Sequence, residues 1–170
     1  GAGKTPVALS LGERLIKQGR NVHFLSRGFG GSATGPLRVD PKVHTAEDVG
    51  DEALLLVARA PTWVSADRRA AARLAAAAAV IIMDDGFQDP SVAKDLSLVV
   101  VDGRYGFGNG RTIPAGPLRE PAAAALGRAD ALVVMGADEA GIGNHPSVRG
   151  KNIPMLRAGV KLGPEVGALK

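Results

Sequence analysis

The sequence predicts an α/β fold on a mostly parallel, doubly wound sheet, and three observations support it. Apolar runs at 80–83, 96–101 and 131–135 are continuous rather than alternating, the pattern of strands covered on both faces. Helical stretches separate such runs, the strand–helix rhythm of parallel sheets. Two loops rich in Gly and Pro, 27–41 and 103–121, break that rhythm; ligands of such sheets bind among loops of this kind, outside the carboxyl ends of strands.

In chain order, a helix is expected over 5–18, with Pro6 in its first turn, where a missing N–H costs nothing, and Gly19 as its stop. A short strand follows at 21–25. Gly50-Asp51-Glu52 opens a helix over 53–58, placing acids where the helix dipole favours them. Residues 62–65 read as a strand, and the alanine-rich stretch 67–79 as a helix whose small side chains permit close packing on a sheet. The three apolar runs supply the next strands. From Gly136 onward the pattern is weak, with a faint strand near 155–160.

A chain of 170 residues suits one domain with a real core, so 1–170 is expected to form a single domain. The absence of cysteine excludes disulfides and thiolate metal sites, and His23, His44 and His145 lack metal-ligand spacing. The formal charge of +4 suits polyanions such as nucleotides, phosphorylated lipids, an anionic membrane surface or nucleic acid, and equally an ordinary basic protein. Aromatic residues are only 4% and no basic run interleaves with them, which argues against nucleic-acid stacking platforms. No apolar run approaches the roughly 20 residues that span a bilayer. The chain opens inside a motif and closes without a stop signal, as expected of a fragment of a longer protein.

That opening motif is Gly1-Ala2-Gly3-Lys4-Thr5-Pro6. Gly3-Lys4-Thr5 matches the end of G-x-x-x-x-G-K-[ST], in which backbone N–H groups cradle phosphates, the lysine reaches the β and γ oxygens and the hydroxyl binds magnesium. The positive end of the following helix adds to the anion site. A second motif, Val80-Ile81-Ile82-Met83-Asp84-Asp85, is a buried-strand pattern ending in two carboxylates, the position from which such enzymes hold magnesium. Asp before Gly86 is also a common turn pair, but together with Gly3-Lys4-Thr5 the metal reading prevails. The expectation is thus a P-loop-containing nucleoside triphosphate hydrolase-like fold. Asp102, after 96–101, reads as a plain strand end.

Five motifs occur in order: Gly1 to Pro6, Ser26-Arg27-Gly28-Phe29-Gly30-Gly31, Val49-Gly50-Asp51-Glu52-Ala53, Asp84-Asp85-Gly86-Phe87-Gln88 and Pro114-Ala115-Gly116-Pro117-Leu118-Arg119-Glu120-Pro121. This series resembles the tetraacyldisaccharide 4′-kinase family of lipid A biosynthesis from Gly1 to about Val134. The resemblance implies transfer of the ATP γ-phosphate to the 4′-hydroxyl of a tetraacylated glucosamine disaccharide 1-phosphate, giving lipid IVA. It also implies a peripheral enzyme at the cytoplasmic face of the Gram-negative inner membrane. By the same resemblance Gly1, Ala2, Gly3, Lys4, Thr5, Pro6 and Gln88 serve ATP. Thr5, Asp84 and Asp85 serve Mg²⁺, Asp51 is the general base with Glu52 beside it, and Glu120 is a further acidic site position.

The sequence departs from the family at Asp89, where a histidine often stands, and lacks the family's N-terminal helix and first strand. It also lacks the C-terminal half with its histidine partner for the base. Read without the family, Asp51 fits a helix N-terminal residue better than a base. Arg27 fits a substrate anion or a solvated loop arginine equally, and Phe29 and Phe107 suit acyl contacts or loop anchors. An NTPase switch or ATPase of the metallochaperone or partition type would use Lys4, Thr5 and Asp84 equally well. A GTPase should carry N-K-x-D, which the sequence lacks.

Overall fold

Thr5, Ala8 and Gly12, spaced three and four apart, form the buried stripe of the first helix, α1 (Lys4–Lys17). A Cβ on Gly12 would lie 2.4 Å from the fully buried ring of Phe24, so α1 rests on the next strand at a distance only glycine permits. The structure, a computed structural model, describes residues 2–160. After α1 come β1 (Val22–Ser26), β2 (Leu37–Arg38), α2 (Ala46–Val49), α3 (Asp51–Val57), β3 (Thr62–Val64), α4 (Arg68–Leu74) and β4 (Val80–Met83). Then follow β5 (Leu98–Asp102), α5 (Ala122–Arg128), β6 (Ala131–Met135), a 3-10 turn at Ile142–Asn144 and β7 (Met155–Ala158). Among the described residues, no helix is long and apolar enough to cross a membrane.

The chain divides into two compact units: Lys4–Asp95, and one that holds the other described residues. In the first, strands run in the order β2-β3-β1-β4, with β1 parallel to both β3 and β4 and only β2 antiparallel. Its core joins Ala8 of α1, Val22 and Phe24 of β1, Leu56 of α3 and Ile82 of β4. Burying a side chain such as Phe24 or Leu56 contributes about 1.5–3 kcal/mol. In the second unit β5, β6 and β7 are all parallel, around Val101, Leu126, Leu132, Val134 and Ile142. The α/β class and the mostly parallel pairing agree with the expectation.

Several boundaries differ. The helix expected over 67–79 ends at Leu74, because the connection to β4 is held elsewhere: Asn21 Nδ2 donates to the Ala77 carbonyl, and Ala79 and Val80 N–H donate to the Asn21 carbonyl. Leu96 is exposed and Ser97 N–H donates to Asp130 Oδ2, so the strand expected from 96 begins at Leu98 and includes Asp102. Three elements lack a sequence-based counterpart. β2 lies in the Gly/Pro-rich loop and is only two residues long. α2 follows Thr45, whose N–H and hydroxyl both donate to Asp48, so the T-x-x-D pattern is its local signal. α5 follows Pro121 and carries Arg128 in its last turn.

Candidate functional site

Because β1, β3 and β4 are parallel, the chain leaves all three at the same edge of their sheet. The amino end of α1 reaches that edge too: Thr5 Oγ1 donates to Asp84 Oδ2 at 2.7 Å, both residues being buried. Asp84 N–H donates to the Leu25 carbonyl at 2.9 Å, extending the ladder one residue past β4 and fixing the backbone beneath the carboxylate. At Asp85 the chain turns away with a φ of 51°, left-handed for a side-chain-bearing residue. Lys4 Nζ lies 3.2 Å from Asp85 Oδ1, with 42% of the lysine side chain exposed. Gly3, just before, has a φ of 87°, a conformation open to glycine. Burial pushes the Asp84 carboxyl above the ordinary carboxylate range, opposed by the Thr5 hydroxyl, the Asp85 N–H and the charge of Lys4.

A buried arginine underlies the same turn. Arg68, first in α4 and only 3% exposed, donates through Nη1 to the Asp84 carbonyl at 3.1 Å and through Nη2 to the Asp85 carbonyl at 3.0 Å. Its Nε lies 3.4 Å from Asp89 Oδ2. Burial pushes the guanidinium below its ordinary value, while Asp89, Asp85 and Asp84 act to keep it charged. Sequence reading missed Arg68. The signal was an arginine pair opening an otherwise alanine-rich helix directly after the 62–65 strand. Asp89 is thus the carboxylate partner of this arginine.

The glycine motif after β1 docks on the segment before α3. Ser32 and Ala33 N–H donate to the Glu47 and Asp48 carbonyls, and a Cβ on Gly31 would lie 2.5 Å from the Asp48 carbonyl oxygen. Gly50 has a φ of 83° and a ψ of 150°, and its Cβ would stand 2.4 Å from the Phe29 carbonyl oxygen. Gly50→Ala is therefore expected to cost at least about 1–3 kcal/mol, from backbone strain alone. Denaturant titration checks this, and unchanged stability would mean the 27–31 loop is not held as described. Asp51 and Glu52 follow on the first turn of α3, both exposed. Since α3 runs into the start of β3, its own start lies toward the carboxyl edge, with Asp84.

The structure thus joins Lys4, Thr5, Asp84 and Asp85 by direct contact and sets Asp51 and Glu52 at the same edge. Arg27, exposed after β1, is close enough for its charge to act on Arg68. Ala2 precedes the loop glycine, Pro6 is exposed in the first turn of α1, and Gln88 is exposed in the turn after Asp85. Gly1 lies outside the described residues. Glu120 belongs to the other unit, where Arg128 grips it through Nη1 at 2.6 Å and Nη2 at 2.9 Å. Among the described residues no group of three or more His, Cys, Asp or Glu could hold a metal ion. Magnesium asks for less, since one or two carboxylates suffice when phosphates complete the shell. The hydroxyl of Thr5 and the buried carboxylate of Asp84, both hard oxygen donors 2.7 Å apart, fit that demand.

Comparison with known proteins gives a consistent result. A family model described as Tetraacyldisaccharide-1-P 4'-kinase matches residues 1–167. Proteins named tetraacyldisaccharide 4'-kinase are similar to the chain in Parvibaculum lavamentivorans, 55% identical over 99% of the chain and 50% of that protein. The one in Paramagnetospirillum magneticum is 57% identical over 100% of the chain and 52% of that protein. The crystal structure of LpxK from Aquifex aeolicus in complex with ATP is 30% identical, with a TM-score of 0.75, over 92% of this chain and 50% of that one. The chain therefore spans about half the length of the curated relatives it matches.

Proposed function

The chain belongs to the tetraacyldisaccharide-1-P 4′-kinase family, and from that premise we propose that it forms the ATP-binding core of a lipid A 4′-kinase. In this reading 1–170 is one P-loop kinase core domain whose activity belongs to the full-length enzyme. The acceptor is the 4′-hydroxyl of a tetraacylated glucosamine disaccharide 1-phosphate, and the product is lipid IVA. The single observation that carries the reading is the hydrogen bond from Thr5 to Asp84. It joins the start of α1 to the end of β4 across 79 positions, bringing together the hydroxyl and the acid that a P-loop kinase needs.

Phosphoryl transfer asks chiefly for positioning and charge neutralisation. The loop at Ala2–Thr5, with Gly1, cradles the phosphates, and Lys4, now beside Asp85 and half exposed, can turn its ammonium to the β and γ oxygens. Thr5 and Asp84, with Asp85 nearby, would hold a Mg²⁺ ion, which would supply further neutralisation of charge there. Asp51 accepts the proton of the sugar hydroxyl as that oxygen bonds to the γ-phosphorus, and the bond to the β-phosphate oxygen breaks to release ADP. Glu52 stands beside it, Gln88 serves the nucleotide, and Arg27 offers its cation to the 1-phosphate or to ATP. The enzyme acts peripherally at the cytoplasmic face of the inner membrane, where its acylated substrate resides, and nucleic acid has no part.

ATP turnover by the full-length enzyme, with and without the acylated disaccharide, tests this. Turnover is expected to require the acceptor and to yield one ADP per phosphorylated lipid. Hydrolysis indifferent to the lipid would replace the kinase with an NTPase of the metallochaperone or partition type.

A further inference from the structure

We propose that Arg68 is a positioning residue: its guanidinium, braced by Asp89, holds Asp84 and Asp85 in the single arrangement that receives the cation of a metal–nucleotide complex. The inference rests on the P-loop reading above and goes beyond it, since no motif assigns Arg68 a part.

The need arises where β4 ends. Past Asp84 the chain leaves the ladder, and the carbonyls of buried Asp84 and half-buried Asp85 require new partners. One guanidinium supplies both, Nη1 to Asp84 and Nη2 to Asp85. The planar fork fixes the two carbonyls relative to each other, and thereby the backbone that carries both carboxylates. The third contact, from Nε to Asp89, compensates a charge that is otherwise costly to bury. Asp89 is itself anchored: its Oδ1 accepts from Ser91 N–H at 2.8 Å, and the Lys94 ammonium donates to its carbonyl. Arg69 Nε adds a bond to the Ser91 carbonyl at 3.2 Å, tying α4 to the same loop. Little room is left for adjustment, since a Cβ on Gly86 would sit 3.0 Å from Arg68 Nη1 and 2.7 Å from Met83 Cβ.

A lysine would keep the charge and lose the fork, because one ammonium cannot meet two carbonyls and a carboxylate approached from three different nitrogens. This separates positioning from simple charge balance. The readout is Mn²⁺ affinity of the full-length protein saturated with ADP, followed by electron paramagnetic resonance of free Mn²⁺. ADP affinity without metal is measured in EDTA, and circular dichroism checks folding. Arg68→Lys is expected to weaken Mn²⁺ binding about tenfold or more, as loss of an outer support of a metal site does, with metal-free ADP affinity nearly unchanged. Asp89→Asn, at a partly exposed site, should weaken Mn²⁺ binding about threefold by the same route.

Unchanged Mn²⁺ affinity in a folded Arg68→Lys protein overturns the proposal, as does an equal loss of metal and metal-free ADP affinity, the signature of a merely structural peg. If Arg68→Lys does not fold, Asp89→Asn decides by the same criteria. Asp84→Asn serves as reference. Unchanged Mn²⁺ affinity there removes the metal site, and with it the P-loop reading; weakening there with none at Arg68 or Asp89 removes the positioning role alone.

Discussion

Replacing Lys4 with alanine is expected to reduce kcat of the full-length enzyme by about 10³-fold, equivalent to ~4 kcal/mol of transition-state stabilisation. In the proposed reading Lys4, at the start of α1, counters the charge that grows on the transferring phosphoryl group. Thr5 is neutral and bonded to Asp84, and Arg68 is committed to the carbonyls beneath the turn. The 3.2 Å contact between Lys4 and Asp85 makes a second outcome measurable. That pair is partly exposed, so its loss should change stability by no more than about 1 kcal/mol. A large fall in kcat with an almost unchanged denaturation midpoint is therefore expected, and near-normal turnover would remove the phosphate loop.

Asp51→Asn should lower kcat by about 10²–10⁴-fold, the range for losing a positioned general base, with little change in ATP affinity. The substitution keeps the size of the side chain and its place on the first turn of α3, and takes away the ability to accept a proton. Steady-state kinetics with varied ATP and varied lipid separates the outcomes. An effect confined to KM for the lipid would make Asp51 a binding residue. Gly50, whose Cβ position lies 2.4 Å from the Phe29 carbonyl oxygen, fixes the start of α3, and Asp51 with it, against the loop after β1. Glu52, one position on, points elsewhere around the helix by about 100° and so offers no ready substitute.

How much of this was legible in sequence differs by element. Apolar runs marked β4, β5 and β6 to within two residues, because strands covered on both faces must be apolar throughout. The first helix was legible from its motif, Pro6 and Gly19, since helix ends carry local chemistry. The helix over 67–79 was overextended, because alanine propensity says nothing of the Asn21 bonds that bend 75–79 toward β4. At the site, the expected phosphate-loop and strand-end residues meet. Arg68 escaped notice because its importance lies in carbonyls 16 and 17 positions away, and carbonyls leave no trace in the identity of a residue.

By itself the sequence determined the α/β class, the main strands and the motifs that carry the candidate site residues, because period, punctuation and residue chemistry are local properties. Tertiary structure alone decided which of them meet: Thr5 with Asp84, Arg68 under the Asp84–Asp85 turn, and the glycine loop against the start of α3. Such partnerships depend on strand order and register across tens of residues, and those are settled by how the apolar faces pack together.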